Sequence, residues 1–172
     1  MYQTEILTDA LLVEYPHLLR SIAELHIACI EKDILLTQFE APLDVSKVQS
    51  YWTLAMWEPG REIIFIHGGN QDEVAAVVML SKPFINTGFA NATVANLLVN
   101  ENYRGMDLSR DLMRKVEEVA KAAGKTLIHL DVEIGSKAEL VFLKFGYSKT
   151  NGTRDSMAQF RKDLSASDAL VL

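Results

Sequence analysis

An amphipathic segment between two apolar runs limits the folds that this chain can adopt. Residues 107–123 place their apolar side chains on one face of a helix, and Gly124 is a natural helix end. The flanking runs, 90–99 and 126–132, are apolar and partly β-branched, which is typical of central strands. Two strands joined through a helix are parallel when they share a sheet. The sequence therefore predicts a β-α-β crossover over 90–132.

The residues before the crossover predict two helices and a hairpin. Helical periodicity extends over 16–32 and again from Asp44, a good helix cap, to the Pro59-Gly60 stop. The runs 63–66 and 74–80 are rich in β-formers, and the Gly68-Gly69-Asn70 segment between them is typical of an antiparallel hairpin.

After the crossover, Ser136 is expected to cap a short helix and residues 160–164 to close the sheet. We therefore expect a fold that combines helices and strands, α/β in the broad sense and α+β in the narrow one. Its sheet should be mixed, mainly antiparallel and flanked by helices. The predicted organisation is a single domain over 1–172 with a flexible tail at 165–172.

Composition and charge indicate the class of protein. The chain has 172 residues, of which 49% are hydrophobic and 23% charged, so it has enough apolar material for one folded core. The formal net charge is −6, which does not favour broad contact with phosphate backbones or anionic lipid. We expect no nucleic-acid partner and no membrane partner.

Cysteine content and the N-terminal sequence indicate a compartment. Cys29 is the one cysteine, so no internal disulfide forms and no Cys/His cluster is present to hold a metal. No Lys or Arg precedes Arg20, and no apolar run approaches the length of about 20 residues that spans a bilayer. We expect a cytoplasmic protein without a metal site, and a homodimer stays open as its assembly.

The turn between the first crossover strand and its helix is a candidate anion site. It reads Tyr103-Arg104-Gly105-Met106-Asp107-Leu108-Ser109, with Asp107 at the N-cap position. The N–H groups in the first turn of a helix have no helical partner and point at whatever lies at the N-terminus.

The strand, the Arg-Gly turn, the helix, the next strand and the short helix leading to Phe145-Gly146-Tyr147 together resemble the GNAT superfamily of N-acetyltransferases. The resemblance covers about residues 90–150. The run from His129 to Ser136 is similar to the tabtoxin-resistance type of small-molecule acetyltransferase. The resemblance implies a GNAT-like fold, acetyl-CoA as co-substrate and a small-molecule amine as acceptor.

The resemblance also implies how the chain would hold acetyl-CoA. Backbone N–H groups near the end of the central strand would engage pantetheine and polarise the thioester carbonyl, and the turn would hold the pyrophosphate. The implied cofactor-binding residues are Leu98, Val99, Arg104, Gly105, Met106, Asp107, Leu108, Ser109, Arg110 and Phe142.

Several positions depart from the family pattern. The family turn is usually Arg/Gln-x-x-Gly-x-Gly/Ala, and this chain has Asp107 and Ser109 at the two glycine positions. The carboxylate of Asp107 would repel phosphate. The acetyl-CoA loop is therefore degenerate, in the sense that it departs from the family pattern at both glycine positions. Phe142 stands where the family has a tyrosine that protonates the departing thiolate, and Thr93 stands where the tabtoxin-resistance type has a glutamate proposed as base.

His129 and Asp131 are the predicted catalytic residues. Strand alternation places them on the same face of 126–132, where Asp131, helped by His129 or a water, would accept the proton of the amine. Each also has a structural interpretation, His129 as a hydrogen-bonded sheet residue and Asp131 as a stabiliser of the strand end. Glu101 and Glu133 are more typical of solvated loop charges.

The aromatic residues Tyr51, Trp52 and Trp57 could wall a substrate pocket, although their helical spacing is more typical of core.

The sequence favours an enzyme. We expect an acyl-CoA-dependent N-acyltransferase, with acetyl as the favoured acyl group and a small-molecule amine as acceptor. The alternative is a GNAT-fold protein without transferase activity, which acts as a binding module or reuses its pocket for another reaction.

Overall fold

Seven strands and five helices make up the part of the chain that the computed structural model describes, residues 2–33, 37–83 and 90–165. In chain order these are β1 (Thr4–Ile6), α1 (Asp9–Glu14), α2 (Leu18–Asp33), α3 (Val45–Trp57), β2 (Arg61–His67), β3 (Val74–Ser81), β4 (Asn91–Val99), a 3-10 turn (Glu101–Tyr103), α4 (Leu108–Ala122), β5 (Leu127–Glu133), α5 (Lys137–Lys144), β6 (Ser148–Arg154) and β7 (Met157–Asp163). The strands form one sheet in the order β1-β2-β3-β4-β5-β7-β6.

The sheet is mixed and mainly antiparallel, as predicted. β1 pairs antiparallel with β2, and β7 pairs antiparallel with both β5 and β6. β4 and β5 are parallel, in a register that runs from Asn91 opposite Leu127 to Val94 opposite Leu130. The predicted hairpin is β2 and β3, in which the Gly68 N–H donates to the Glu73 carbonyl at 2.7 Å.

The crossover prediction is confirmed. α4 starts one residue after the predicted helix and ends one residue before its predicted end, and β5 follows it. Gly124 ends the helix with a φ of 77°, which only glycine adopts readily, and the Lys125 N–H then donates to the Ala120 carbonyl at 2.9 Å.

The structure also contains elements that the sequence did not predict. β1 and α1 are only three and six residues long, which is too short for a periodic pattern to show. β6 is an edge strand whose residues are nearly all exposed, so it has no apolar face. β7 begins at Met157, three residues before the predicted strand.

The described residues belong to two compact units, Met1–Met79 with Asn96–Lys115, and Leu80–Ala95 with Val116–Leu172. In the first unit, α2 and α3 pack on β2 and β3 around fully buried side chains such as Ile22, Trp52 and Phe65. The predicted cap of α3 is present, since the Asp44 carboxylate accepts from the Ser46 N–H at 2.8 Å.

In the second unit, alternate residues of β5 are buried, namely Ile128, Leu130 and Val132. Ser136 precedes α5 as predicted, but its hydroxyl makes no capping hydrogen bond. The single domain over 1–172 stays a prediction, as does the flexible tail at 165–172, of which only Ser165 lies within the described residues.

Candidate functional site

The carboxyl end of β4 has an irregular backbone. Asn96 adopts a φ of 54°, a left-handed conformation that asparagine tolerates better than most residues. Farther on, the Asn100 N–H donates to the Ala75 carbonyl of β3 at 2.8 Å. Because successive residues of a strand alternate in hydrogen-bonding direction, the N–H of Leu98 faces β3 and that of Val99 faces away. Val99 is therefore better placed than Leu98 to present an N–H group to a ligand.

The turn before α4 contains two residues with left-handed backbone, Gly105 with a φ of 78° and Asp107 with a φ of 58°. The carbonyl of Asp107 accepts the first helical hydrogen bond, from the Asp111 N–H at 3.2 Å. N-cap residues are normally extended, so the expectation of an ordinary cap at Asp107 is wrong. This aspartate has the backbone conformation that a glycine adopts without strain.

The same turn presents the start of α4 to solvent. Gly105, Met106 and Asp107 are exposed, and a Cβ placed on Gly105 would meet no atom within 4 Å. The N–H groups of Leu108 and Ser109 lie in the first helical turn, where they have no partner within the helix. The backbone therefore has the geometry of an anion-binding helix start.

Arg104 is held at the end of α2. Its guanidinium donates to both carboxylate oxygens of Asp33, at 3.0 and 2.6 Å, and lies 3.4 Å from the Val99 carbonyl. The hydrogen bond to Asp33 raises the pKa of Arg104. The Arg104 side chain is 46% exposed, so water screens the pair and it contributes no more than about 1 kcal/mol. A phosphate could therefore compete with Asp33 for this guanidinium.

A cavity of about 270 Å³ opens in the first unit, lined in part by α2, the start of β3 and the 3-10 turn. Cys29, Glu73, Glu101 and Arg104 are among the residues that line it. Glu101, which the sequence assigned to the solvated loops, forms an ion pair with Lys32 there. Burial raises the pKa of the Cys29 thiol, so this cysteine is not an activated nucleophile.

The predicted aromatic set does not share one wall. Trp52 is fully buried, with its indole N–H donating to Nδ1 of His26 at 3.1 Å, whereas Trp57 is 64% exposed. Burial lowers the pKa of His26 to about 4. Tyr51 is half-buried, and its hydroxyl accepts from the Asn96 carboxamide at 2.8 Å. Sequence reasoning identified neither Asn96 nor His26, because each acquires its partner through the tertiary fold.

His129 and Asp131 lie on one face of β5, as strand alternation predicted. Thr93 of β4 and Arg161 of β7 are the register partners of His129 on either side, and Gln159 is opposite Asp131. Directly opposite residues point to the same face of a sheet, so polar side chains from three strands line this face. Arg161 lies within the predicted strand 160–164, but it was not predicted for this site because the sequence does not show that this strand pairs with β5.

His129 has an unused hydrogen-bonding atom. Its Nδ1 is buried and makes no hydrogen bond within the described residues. Buried polar atoms are normally paired, so this nitrogen is available to a water or a ligand. Asp131, by contrast, is exposed.

Phe142 is a core residue of the second unit, 5% exposed, with edge-to-face contacts to Phe145 and Tyr147. The Tyr147 hydroxyl donates to Glu117 at 3.3 Å, and Lys162 donates to the same carboxylate at 2.8 Å. Burial, together with the Glu117 charge, raises the pKa of Tyr147. Its phenol is therefore a weak acid that is already hydrogen-bonded.

The described ranges, 2–33, 37–83 and 90–165, lack two kinds of feature. Those ranges hold no group of three or more His, Cys, Asp or Glu residues arranged to bind a metal. None of the helices in those ranges is long and apolar enough to cross a membrane.

Comparison with known proteins adds a family match. A model of the acetyltransferase (GNAT) family matches residues 32–147, more than half of the chain.

Solved acetyltransferases share the fold. A GNAT-family acetyltransferase from Staphylococcus aureus Mu50 aligns with a TM-score of 0.70 at 10% identity, covering 95% of this chain and 99% of that one. An acetyltransferase from Streptococcus agalactiae 2603 aligns with a TM-score of 0.69 at 13% identity, covering 94% and 98%. The yncA protein of Salmonella typhimurium, solved with its cofactor acetyl-CoA, aligns with a TM-score of 0.68 at 14% identity, covering 95% and 94%.

Proposed function

The chain belongs to the acetyltransferase (GNAT) family, and from that premise we propose that it transfers the acyl group of acetyl-CoA, or a related acyl-CoA, to a small-molecule amine. The observation that carries the proposal is the turn before α4. It keeps left-handed backbone at Gly105 and Asp107 and so presents the first N–H groups of a 15-residue helix.

The backbone of the turn before α4 suits an acyl-CoA, whereas the side chains of the turn suit it less well. The N–H groups of Leu108, Ser109 and Arg110 would hold the pyrophosphate, and the exposed Gly105 allows close approach. Asp107 opposes this through its charge. Acetyl-CoA supplies the activated acyl thioester, and the Val99 N–H, which faces away from β3, would polarise its carbonyl.

Asp131 is the proposed base for the proton of the acceptor amine. Asp131 is exposed, and its carboxylate is the kind of group that can take the proton that the amine must lose. His129 supports it from the neighbouring position of the same strand face, with its unpaired Nδ1 as a site for a bridging water. Phe142 has no proton to donate to the leaving thiolate.

The alternative, a GNAT-fold binding module or a pocket reused for another reaction, is favoured by the exposed carboxylate of Asp107. A negative charge at the start of α4 discourages the phosphate groups that this backbone would otherwise attract. The two proposals differ in whether acetyl-CoA binds and is consumed.

Titration calorimetry with acetyl-CoA, followed by a thiol-release assay over a panel of small amines, tests the proposal. We expect binding, and release of CoA that depends on the amine, with the acetylated amine identified by mass spectrometry. Failure to bind acetyl-CoA at millimolar concentration would favour the alternative.

Three finer points remain predictions. They are the likeness to the tabtoxin-resistance type, a cytoplasmic location and a homodimer.

A further inference from the structure

Transfer of an acyl group from a thioester leaves a thiolate that must gain a proton. Phe142 has no acidic hydrogen and is packed between Phe145 and Tyr147. The Tyr147 phenol already donates to Glu117, and burial raises its pKa. The described aromatic residues around α5 therefore supply no ready proton donor.

Tyr51 offers a hydroxyl at β4, beside the strand end that the proposed function assigns to the thioester. Its oxygen accepts a hydrogen bond from the carboxamide of Asn96, which is two residues before Leu98 and three before Val99. A phenol that accepts a hydrogen bond keeps its own O–H to donate. The contact therefore fixes the oxygen and leaves its proton available.

The ring of Tyr51 is held in place by its neighbours. Phe39 and Trp52 contact it edge-to-face, with ring centroids 5.5 and 5.8 Å away. Asn96 is fixed in turn by its left-handed backbone, which directs its side chain differently from that of an ordinary strand residue. Both partners lie in the first unit.

We propose that Tyr51 is the proton donor to the leaving thiolate and that Asn96 positions its hydroxyl. The inference rests on the proposed acyl transfer. As the amine nitrogen bonds to the acyl carbon, the carbon–sulfur bond breaks and its electron pair goes to sulfur, which takes the Tyr51 proton. The phenolate regains a proton from solvent, and the proton lost by the amine goes to the base of the proposed reaction.

The test compares Tyr51→Phe with the control Tyr15→Phe, which also removes one phenol from the first unit, next to His67. We expect kcat of Tyr51→Phe to fall by about 100-fold or more, while the Kd for acetyl-CoA stays within about twofold.

Asn96→Gly separates positioning from folding, because glycine adopts a φ of 54° without strain. We expect its kcat to fall about tenfold, with KM and acetyl-CoA affinity unchanged. The inference is overturned if Tyr51→Phe matches Tyr15→Phe in kcat. Absence of amine-dependent turnover in the wild type would overturn the proposed function together with this inference, whereas normal turnover in Tyr51→Phe overturns the inference alone.

Discussion

Replacing Asp107 by glycine should tighten acetyl-CoA binding with little effect on stability. The residue has a φ of 58°, and left-handed backbone costs an L-residue roughly 1–2 kcal/mol, less for aspartate. Glycine relieves that strain but loses about 0.5–1 kcal/mol through its greater freedom in the unfolded chain. The two effects nearly cancel, so the free energy of unfolding should change by less than about 1 kcal/mol.

The effect on the ligand is larger. Two unit charges about 6 Å apart repel by roughly 1–3 kcal/mol for effective dielectric constants between those of water and a protein surface. Removing the Asp107 carboxylate should therefore lower the Kd for acetyl-CoA about 5- to 100-fold at low salt. The gain should shrink as salt rises, since the Debye length falls to about 3 Å at 1 M.

Two variants make the experiment specific. Asp107→Asn removes the charge and keeps a residue that tolerates left-handed backbone, so it isolates the electrostatic part. Asp155→Gly removes another exposed aspartate with a φ of 53°, in the turn between β6 and β7. Titration calorimetry gives the Kd, and urea unfolding gives the stability. Equal acetyl-CoA affinity in wild type and both Asp107 variants, or equal tightening by Asp155→Gly, would refute this reasoning.

Three further perturbations have definite expected outcomes. Asp131→Asn should lower kcat about 10²- to 10⁴-fold, most strongly at low pH where the amine holds its proton, which a pH–rate profile from 6 to 9 would measure. Asp33→Asn should release Arg104 and tighten acetyl-CoA up to about fivefold by calorimetry, with no gain at high salt. The pKa of His26 is about 4 in the folded chain and about 6.5 when unfolded, so the unfolded state binds the extra proton as pH falls. From pH 6.5 to 4, stability in urea unfolding should then drop by about 3 kcal/mol more in the wild type than in His26→Asn, which keeps an acceptor for Trp52.

The predictable part of this fold is the part with a clear hydrophobic period. The crossover was located to within a residue because one face of α4 is apolar and β5 alternates strictly. The same alternation placed His129 and Asp131 on one face. β6 escaped prediction because an exposed edge strand buries neither face and therefore carries no alternation.

The unpredictable part of the candidate site depends on contacts between residues distant in sequence. Arg104 meets Asp33 across 71 positions and Tyr51 meets Asn96 across 45. Neither pair has a local pattern, because polar partners of this kind are selected by the packing of α2 and α3 and not by neighbouring residues. Local periodicity can assign a strand face, but it cannot show which side chain from elsewhere occupies it.

In the turn before α4, the backbone favours phosphate binding and the Asp107 side chain opposes it. Asp107 keeps a backbone conformation suited to glycine, although its side chain repels the phosphate that this conformation would admit. The crossover fixes the positions of the start of α4 and the end of β4. Many sequences can form such a crossover, since solved acetyltransferases share this fold at only 10–14% identity. Affinity for phosphate depends on single charges, which the fold does not constrain. Membership of the family therefore constrains the position of an acyl-CoA more than it constrains the affinity for it. The Asp107 variants measure that affinity directly.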